Sequence, residues 1–149
     1  MKMSTKGRYG LRVMVELALQ FGAGPVLVDE IAKRQGISAK YIRVLIAGLK
    51  TAGLLKAVRG PHGGYELTRS PAGITALEVV TALEGSLAPV DCVADASHCN
   101  RAACCATRDV WCDVAMAIER TLAGVTLEQL AMRQKAKVEM PQVPRSYAF

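Results

Sequence analysis

The stretch GLLKAVRGPHGGYELTR, residues 53–69, carries the clearest structural signal in this chain. Its two ends, 54–58 and 65–68, are short apolar runs typical of β-strands, and the glycine-rich segment between them predicts a tight, exposed turn. The glycines would let the backbone approach a phosphate or a minor groove closely, and Arg59 would supply charge there. A loop that cradles a nucleotide phosphate is the competing interpretation. It is weakened because no Lys-Ser/Thr pair follows and no helix opens after the glycines.

Helices are predicted on the N-terminal side of this hairpin. Apolar residues recur at helical spacing in three segments: 7–21, 28–35 and 39–52. The second and third helices are joined by the turn QGIS, in which Ser38 is a candidate N-cap, so they have the shape of a helix-turn-helix. Lys40, Tyr41 and Arg43 lie largely off the apolar stripe of the third helix, whose N-terminal end could enter a major groove. A helix-turn-helix followed directly by a hairpin is a winged helix.

The second half of the chain is also predicted to be helical. The capping box TALE, residues 75–78, opens a short helix to about residue 84, and a long amphipathic helix covers 106–122. A long helix outside a small domain usually packs on a symmetry mate, so we expect a homodimer; the alternative is that the helix folds back on its own core. A second capping box at 126–129 opens a last short helix.

These patterns predict a mainly α fold with a small β-hairpin wing and a long dimerisation helix. The expected organisation has four parts: a winged helix-turn-helix DNA-binding domain at 1–84, a cysteine-rich loop at 85–105, the dimerisation helix and C-terminal helix at 106–133, and a flexible tail at 134–149.

Charge is distributed unevenly along the 149 residues. Residues 1–70 hold 12 Lys/Arg and 4 Asp/Glu, a net charge of +8, whereas residues 71–149 hold 7 and 9, a net charge of −2. A basic half favours contact with a polyanion such as DNA, although a solvated basic surface would have the same composition. No apolar run reaches the roughly 18–20 residues of a membrane span, and the polar start lacks a secretory signal. We therefore expect a cytoplasmic protein without a membrane partner.

The chain has five cysteines, all within one segment: Cys92, Cys99, Cys104, Cys105 and Cys112. In a reducing compartment such a cluster more often binds metal or undergoes redox chemistry than forms structural disulfides, and the odd number argues against a closed disulfide framework. Thiolates suit iron, and a flexible loop can wrap them around a cluster. A thiol switch and a structural zinc site are the alternatives. The sequence has no CxxC pair and no substrate-binding signature, so we do not expect an enzyme.

Three stretches resemble the Rrf-two family of winged-helix transcription regulators: STKGRYGLRVMVELAL, EIAKRQGIS and, above all, GLLKAVRGPHGGYELTR. The resemblance covers about residues 1–133 and includes the IscR-like iron–sulfur cluster regulators of that family. It implies a homodimer that binds an inverted-repeat operator in double-stranded DNA. It also implies an iron–sulfur cluster, of either the 2Fe–2S or the 4Fe–4S type, whose state alters DNA affinity.

The resemblance assigns DNA contacts to five residues: Lys40, Tyr41 and Arg43 on the recognition helix, and Arg59 and His62 in the wing. Core packing is the alternative for Tyr41, and a solvated loop position is the alternative for His62. IscR-like proteins carry a glutamate where this chain has Arg43, which implies a different preferred base, such as guanine read through its O6 and N7 atoms.

The resemblance also implies three cluster ligands: Cys92, Cys99 and Cys105. The histidine that IscR-like proteins carry three residues after the third cysteine is Arg108 here, which stays protonated and cannot ligate iron. The acidic residue that some relatives supply near the start of the partner chain is absent from the corresponding KGR stretch, residues 6–8. The remaining candidates for the fourth ligand are Cys104, Cys112 and His98, and Cys112 is equally well explained as a buried apolar residue.

The leading hypothesis is therefore a dimeric repressor-type transcription regulator that senses iron–sulfur, oxidant or nitric oxide status through a cysteine-ligated cluster. The alternative is a cluster-free regulator whose cysteines form a disulfide or persulfide.

Overall fold

Seven α-helices and one β-hairpin form the part of the chain that the computed structural model describes, residues 3–140. The elements in chain order are α1 (Thr5–Leu19), α2 (Val28–Gln35), α3 (Ala39–Thr51), β1 (Leu55–Val58), β2 (Gly64–Leu67), α4 (Ala76–Glu84), α5 (Asp91–Ala94), α6 (Ala106–Ala123) and α7 (Leu127–Glu139). The mainly α fold with a hairpin wing after the third helix is thus confirmed. None of the helices in this part of the chain is long and apolar enough to cross a bilayer.

The core lies where the first four helices meet. Its largest fully buried side chains are Met14, Ile31, Ile42, Leu45, Ile46, Leu49, Ile74 and Leu127. Full burial of one such side chain contributes about 1.5–3 kcal/mol relative to exposure. Leu127, at the start of α7, also donates its backbone N–H to the Ile74 carbonyl at 2.9 Å, so the C-terminal helix is tied to the N-terminal half of the chain.

The hairpin is antiparallel, with Leu55 opposite Leu67 and Val58 opposite Gly64. Its strands are each displaced by about one residue from the segments predicted from the sequence. Val26 and Tyr65 exchange two backbone hydrogen bonds of 2.9 Å, so the wing is fixed to the link that precedes α2.

Two boundaries in the second half differ from the prediction. The cysteine-rich segment 85–105 is not a plain loop, because it contains α5 and two single turns of 3₁₀-helix, Ala96–His98 and Ala102–Cys104. The prediction of a flexible tail from residue 134 was wrong for residues 134–139, because α7 continues to Glu139. Residues 133–139 are mostly good helix formers, and the prolines that end the pattern come only at 141 and 144. The rest of the predicted tail, 141–149, lies outside the described residues.

Helix α6 packs on α4 and α5 but leaves much of its apolar surface uncovered. Ala115 is its only buried residue, whereas Val110, Trp111 and Met116 are 57%, 41% and 51% exposed. Its length agrees with the predicted helix at 106–122. Within residues 3–140, Val114, Ile118 and Leu122 of α6 are half-buried, so the rest of the chain covers its apolar stripe only in part.

A buried carboxylate joins α1 to the helix-turn-helix. Glu16 is 5% exposed, and its two oxygens accept hydrogen bonds from the Arg34 guanidinium at 2.8 Å and the Gln35 amide at 2.9 Å. These contacts hold the C-terminal end of α2 against α1.

We expect Glu16→Gln to lower the free energy of unfolding by about 1–3 kcal/mol, because one of these donors loses a charged acceptor in a buried setting. The matched control is Glu66→Gln, which breaks the more exposed Lys56–Glu66 pair of 2.9 Å and should cost about 1 kcal/mol or less. Urea denaturation of both variants measures the difference. Equal losses would show that the Glu16 network does not fix α2.

Candidate nucleic-acid interface and cysteine loop

The structure presents the N-terminal end of α3 at the surface. Helix α2 ends at Gly36, whose φ of 63° lies in the left-handed region that lets the chain turn sharply. Ser38 then caps α3, since its side-chain oxygen accepts the Tyr41 backbone N–H at 3.3 Å. The N-cap predicted from the sequence is confirmed. This short connection holds α3 by its buried stripe while its first turn stays exposed.

The predicted DNA contacts on α3 differ in their surroundings. Lys40 and Arg43 are both exposed, and the Arg43 guanidinium lies 3.8 Å from the carboxylate of Asp29 on α2. Tyr41 is half-buried and packs against the edge of the core, so the core-packing alternative accounts for part of its side chain. Lys40 and Arg43 therefore lie at the surface outside the core, with Arg43 beside the Asp29 carboxylate.

An aromatic and basic group that the sequence analysis missed adjoins Tyr41. The ring of Tyr9, on α1, meets the Tyr41 ring edge-on with centroids 6.2 Å apart. The guanidinium carbons of Arg8 and Arg12 lie 5.6 Å and 5.2 Å from the Tyr9 ring centroid, within cation–π distance. Helical spacing on α1 could have paired Tyr9 with Arg12, but the contact to Tyr41 depends on the tertiary fold. The group adds two cations beside the recognition helix.

The wing tip is formed by residues 59–62, all of which are exposed. Arg59 and His62 therefore lie where the prediction placed them, at the end of the hairpin. The tip is closed by a hydrogen bond of 3.0 Å from the Gly63 N–H to the Gly60 carbonyl. Such a tip can enter a minor groove or approach a phosphate.

The double glycine of the wing packs closely against the neighbouring backbone. A Cβ on Gly63 would overlap the Val58 carbonyl oxygen, and a Cβ on Gly64 would lie 2.5 Å from the Val26 carbonyl oxygen. Gly64 also has a φ of 152°, which L side chains rarely adopt. These two glycines permit close packing of the hairpin on itself and on the link before α2. A Cβ on Gly60 would meet open space, so Gly60 has no such packing role.

The structure distributes the five cysteines over adjacent elements and leaves all of them free. Cys92 lies in α5, Cys99 and Cys104 belong to the 3₁₀ turns and their ends, Cys105 precedes α6, and Cys112 lies within α6. Cys104 is exposed and the others are half-buried. Within residues 3–140 no three His, Cys, Asp or Glu side chains come close enough to share a metal ion. The candidate ligands thus share one region without converging on one point.

Cys105 occupies the N-cap position of α6, and its sulfur lies 3.2 Å from the Thr107 hydroxyl. This hydrogen bond, with the Arg108 backbone N–H and the nearby Arg101 charge, lowers the pKa of the Cys105 thiol below its usual value. The thiolate is the form that binds metals and attacks other sulfur atoms. The Arg108 side chain donates from Nε to the Cys92 carbonyl at 2.9 Å, so it ties the start of α6 to α5.

The donor set decides whether an iron–sulfur cluster fits this region. Cys92, Cys99 and Cys105 supply three partly accessible thiols, which is the ligand type that such clusters use. Of the candidates for a further ligand, His98 has its Nδ1 3.6 Å from the Asp95 carboxylate, whereas Cys104 and Cys112 are free thiols. The residues fit a cluster in chemistry and number. Bringing them together requires the segment 91–105 to close.

Comparison with known proteins gives a consistent result over most of the chain. Residues 3–133 match a family described as "Rrf2: Iron-dependent Transcriptional regulator". The HTH-type transcriptional regulator CymR of Bacillus subtilis is 40% identical over 131 residues, 88% of this chain and 90% of the relative. The solved structure of CymR, described as the global cysteine regulator of B. subtilis, has a TM-score of 0.76 at 39% identity and covers 89% of this chain and 98% of its own. T. potens IscR has a TM-score of 0.76 at 40% identity and covers 96% and 94%.

Proposed function

Since the chain belongs to the Rrf2 family of DNA-binding transcriptional regulators, we propose that it is a homodimer whose operator affinity is controlled by an iron–sulfur cluster in the cysteine segment. Its relatives and its fold are those of transcriptional regulators, not of enzymes. The observation that carries the proposal is the position of the five free cysteines, which all lie between the DNA-binding half and the far end of α6.

DNA recognition in this proposal divides between α3 and the wing. Arg43 reads a base edge, for which a guanine offers two acceptors to the guanidinium fork. Lys40 binds phosphate and sets the position of α3, while Tyr41 holds the first turn of α3 against Tyr9. Arg59 enters the minor groove from the wing tip, with His62 beside it. The exposed Arg8 and Arg12 add positive potential along the same helix as Tyr9.

Dimerisation uses the uncovered face of α6. Trp111 and the adjacent Val110 are exposed beside the half-buried Val114, Ile118 and Leu122, which continue one apolar stripe along α6. Pairing of α6 with its copy buries them and relates two recognition helices by a two-fold axis. Such a dimer fits an inverted repeat whose half-sites lie about 34–36 Å apart. The spacing of the recognition helices therefore depends on where α6 leaves the DNA-binding half.

Cys92, Cys99 and Cys105 would hold the cluster, with Cys104, Cys112 or His98 as the fourth ligand. When bound, the cluster supplies a centre that reacts with oxidants and nitric oxide. The chain's own part is to bring α5, the 3₁₀ turns and the start of α6 together through these side chains. Arg108, already bonded to the Cys92 carbonyl, holds α5 to α6 in either state. Opening or closing of the segment then shifts α6 relative to α3.

Arg59→Ala tests the DNA-binding half of the proposal. Loss of one wing cation should weaken binding to an operator selected in vitro by about tenfold. It should also reduce the slope of the logarithm of affinity against the logarithm of salt concentration by about one in magnitude. The control is Lys56→Ala, which removes a cation of strand β1 that is paired with Glu66 away from the tip. Fluorescence anisotropy over a salt series measures both variants. An Arg59 variant with wild-type affinity and slope would show that the wing tip does not touch DNA.

A cluster-free thiol switch is the second candidate. It is favoured by the similarity to CymR, which is described as the global cysteine regulator of B. subtilis, and by the free Cys105 thiol at the N-cap of α6. Two thiols would give up two protons and two electrons to hydrogen peroxide, forming one disulfide and two waters. Mass spectrometry after peroxide treatment and alkylation would find that disulfide in a protein that is colourless and free of iron.

A further inference from the structure

The side chain of Leu83 lies in a notch between α1 and α3 that is lined by Gly10 and Gly48. A Cβ on Gly10 of α1 would overlap Leu83 Cδ1, and a Cβ on Gly48 of α3 would lie 2.9 Å from Leu83 Cδ2. Gly10 is buried, and Gly48 and Leu83 are half-buried. One side chain near the end of α4 therefore contacts the first helix and the recognition helix at the same time.

The next residue, Glu84, is bound to the start of α1. Its Oε1 accepts the Gly7 backbone N–H at 2.9 Å and also the Ser4 hydroxyl. A Cβ on Gly7 would lie 2.5 Å from the same oxygen, so a larger residue there would displace the Glu84 carboxylate. A carboxylate at a helix N-terminus satisfies free N–H groups and interacts favourably with the helix dipole. The last two residues of α4 thus fix its C-terminal end against α1 and α3.

The cysteine segment begins directly after these two residues. Gly85, with a φ of 78°, ends α4 and turns the chain toward α5, where Cys92 lies. Leu83 and Glu84 are therefore the residues of the DNA-binding half that adjoin the segment 85–105 in the chain. A displacement of that segment acts on them first. Because packed interiors yield by discrete shifts and not by gradual deformation, movement of Leu83 must move Gly48 or open a cavity.

We propose that Leu83 is the positioning residue that couples the cysteine segment to the recognition helix, acting through its contacts with Gly10 and Gly48. This inference rests on the proposed sensing function and names the route by which that function reaches DNA. Glu84 holds the end of α4 to α1, so that Leu83 keeps its place in the notch. The recognition helix then changes position when the segment after Gly85 opens or closes.

Leu83→Ala tests the coupling. Operator Kd is measured by anisotropy for the anaerobically reconstituted protein and for the metal-free reduced protein. In the wild type the two Kd values should differ by about 5- to 150-fold, the usual range of coupling between two sites. In Leu83→Ala the ratio should fall to within about threefold of one, which corresponds to a residual coupling below about 0.7 kcal/mol. Leu77→Ala, on the same helix but lining a shallow groove with Ala52 and Leu54, should keep the wild-type ratio.

A second readout needs neither metal nor DNA. Amide hydrogen exchange of residues 45–51 in α3 should be faster in metal-free Leu83→Ala than in metal-free Leu77→Ala, because only the first loses the contact with Gly48. Gly48→Ala, which keeps Leu83 but narrows its notch, should also change the Kd ratio. Because alanine favours a helix more than glycine does, this variant should keep α3 folded.

The outcomes separate the two claims. A Leu83→Ala protein with the wild-type Kd ratio and wild-type exchange in α3 overturns the coupling role. If the wild type itself shows the same Kd with and without reconstitution, the sensing function fails. In that case the exchange readout still decides the positioning role of Leu83: faster exchange in α3 supports it, and unchanged exchange overturns it.

Discussion

Replacing Gly64 by alanine should abolish operator binding and destabilise the fold. The residue has a φ of 152°, and an added Cβ would lie 2.5 Å from the Val26 carbonyl oxygen, a backbone atom that cannot turn away. Backbone strain at such a position costs about 1–3 kcal/mol before the overlap is counted. The overlap must also break the paired hydrogen bonds between Val26 and Tyr65 that fix the wing. Loss of the wing should weaken operator binding by about 100-fold or more, since each specific contact is worth about 1–3 kcal/mol.

Gly60→Ala is the matched control for this experiment. Gly60 has a φ of 113°, but an added Cβ meets open space at the exposed tip of the wing. Gly60→Ala should introduce the backbone strain without the overlap. It should therefore lose less free energy of unfolding, measured by urea denaturation, and less operator affinity, measured by anisotropy. If Gly64→Ala and Gly60→Ala behaved alike, the contact between the wing and Val26 would not be what holds the hairpin in place.

Replacing Cys92 by alanine should remove the visible chromophore of the anaerobically purified protein. The proposal makes Cys92 a cluster ligand, and a thiolate ligand to iron has no substitute in alanine. Iron and acid-labile sulfide should fall to background. The matched control is Val93→Ala on the same short helix α5, which should keep the wild-type spectrum.

Visible spectra of further variants identify the fourth ligand of the cluster. Alanine variants of Cys104, Cys112 and His98 should include one that changes or loses the chromophore and two that retain it. A Cys92→Ala protein with undiminished colour and iron would place the cluster elsewhere in the chain. If all four variants and the wild type were colourless, the cysteines would act as thiols.

The winged helix could be predicted from the sequence because its signals are local. The apolar stripes of α1 to α3, the cap at Ser38 and the turn residues at 59–64 each determine the conformation of their own few residues. Consistent local signals of this kind usually agree with the final fold. The exposed positions of Lys40 and Arg43 followed from the helical periodicity, and those of Arg59 and His62 followed from the glycine-rich turn.

Contacts between distant segments could not be predicted in this way. The role of Gly64 depends on Val26, nearly 40 residues away. The notch for Leu83 depends on two helices that precede it, and the sequence shows Gly48 only as a weak helix former. The Tyr9–Tyr41 contact is of the same kind. The cysteines are a fourth case, because their spacing identifies a thiol-rich segment but does not determine whether the sulfur atoms converge.

The visible absorption spectrum of the wild-type protein, purified without oxygen and measured with its iron and sulfide content, tests the central claim most directly. The proposal predicts a brown protein with iron matched by sulfide. It also predicts that loss of the colour in air changes operator affinity. A protein that stays colourless after an attempt at cluster reconstitution would contradict the cluster proposal and leave a thiol switch on the same winged-helix regulator.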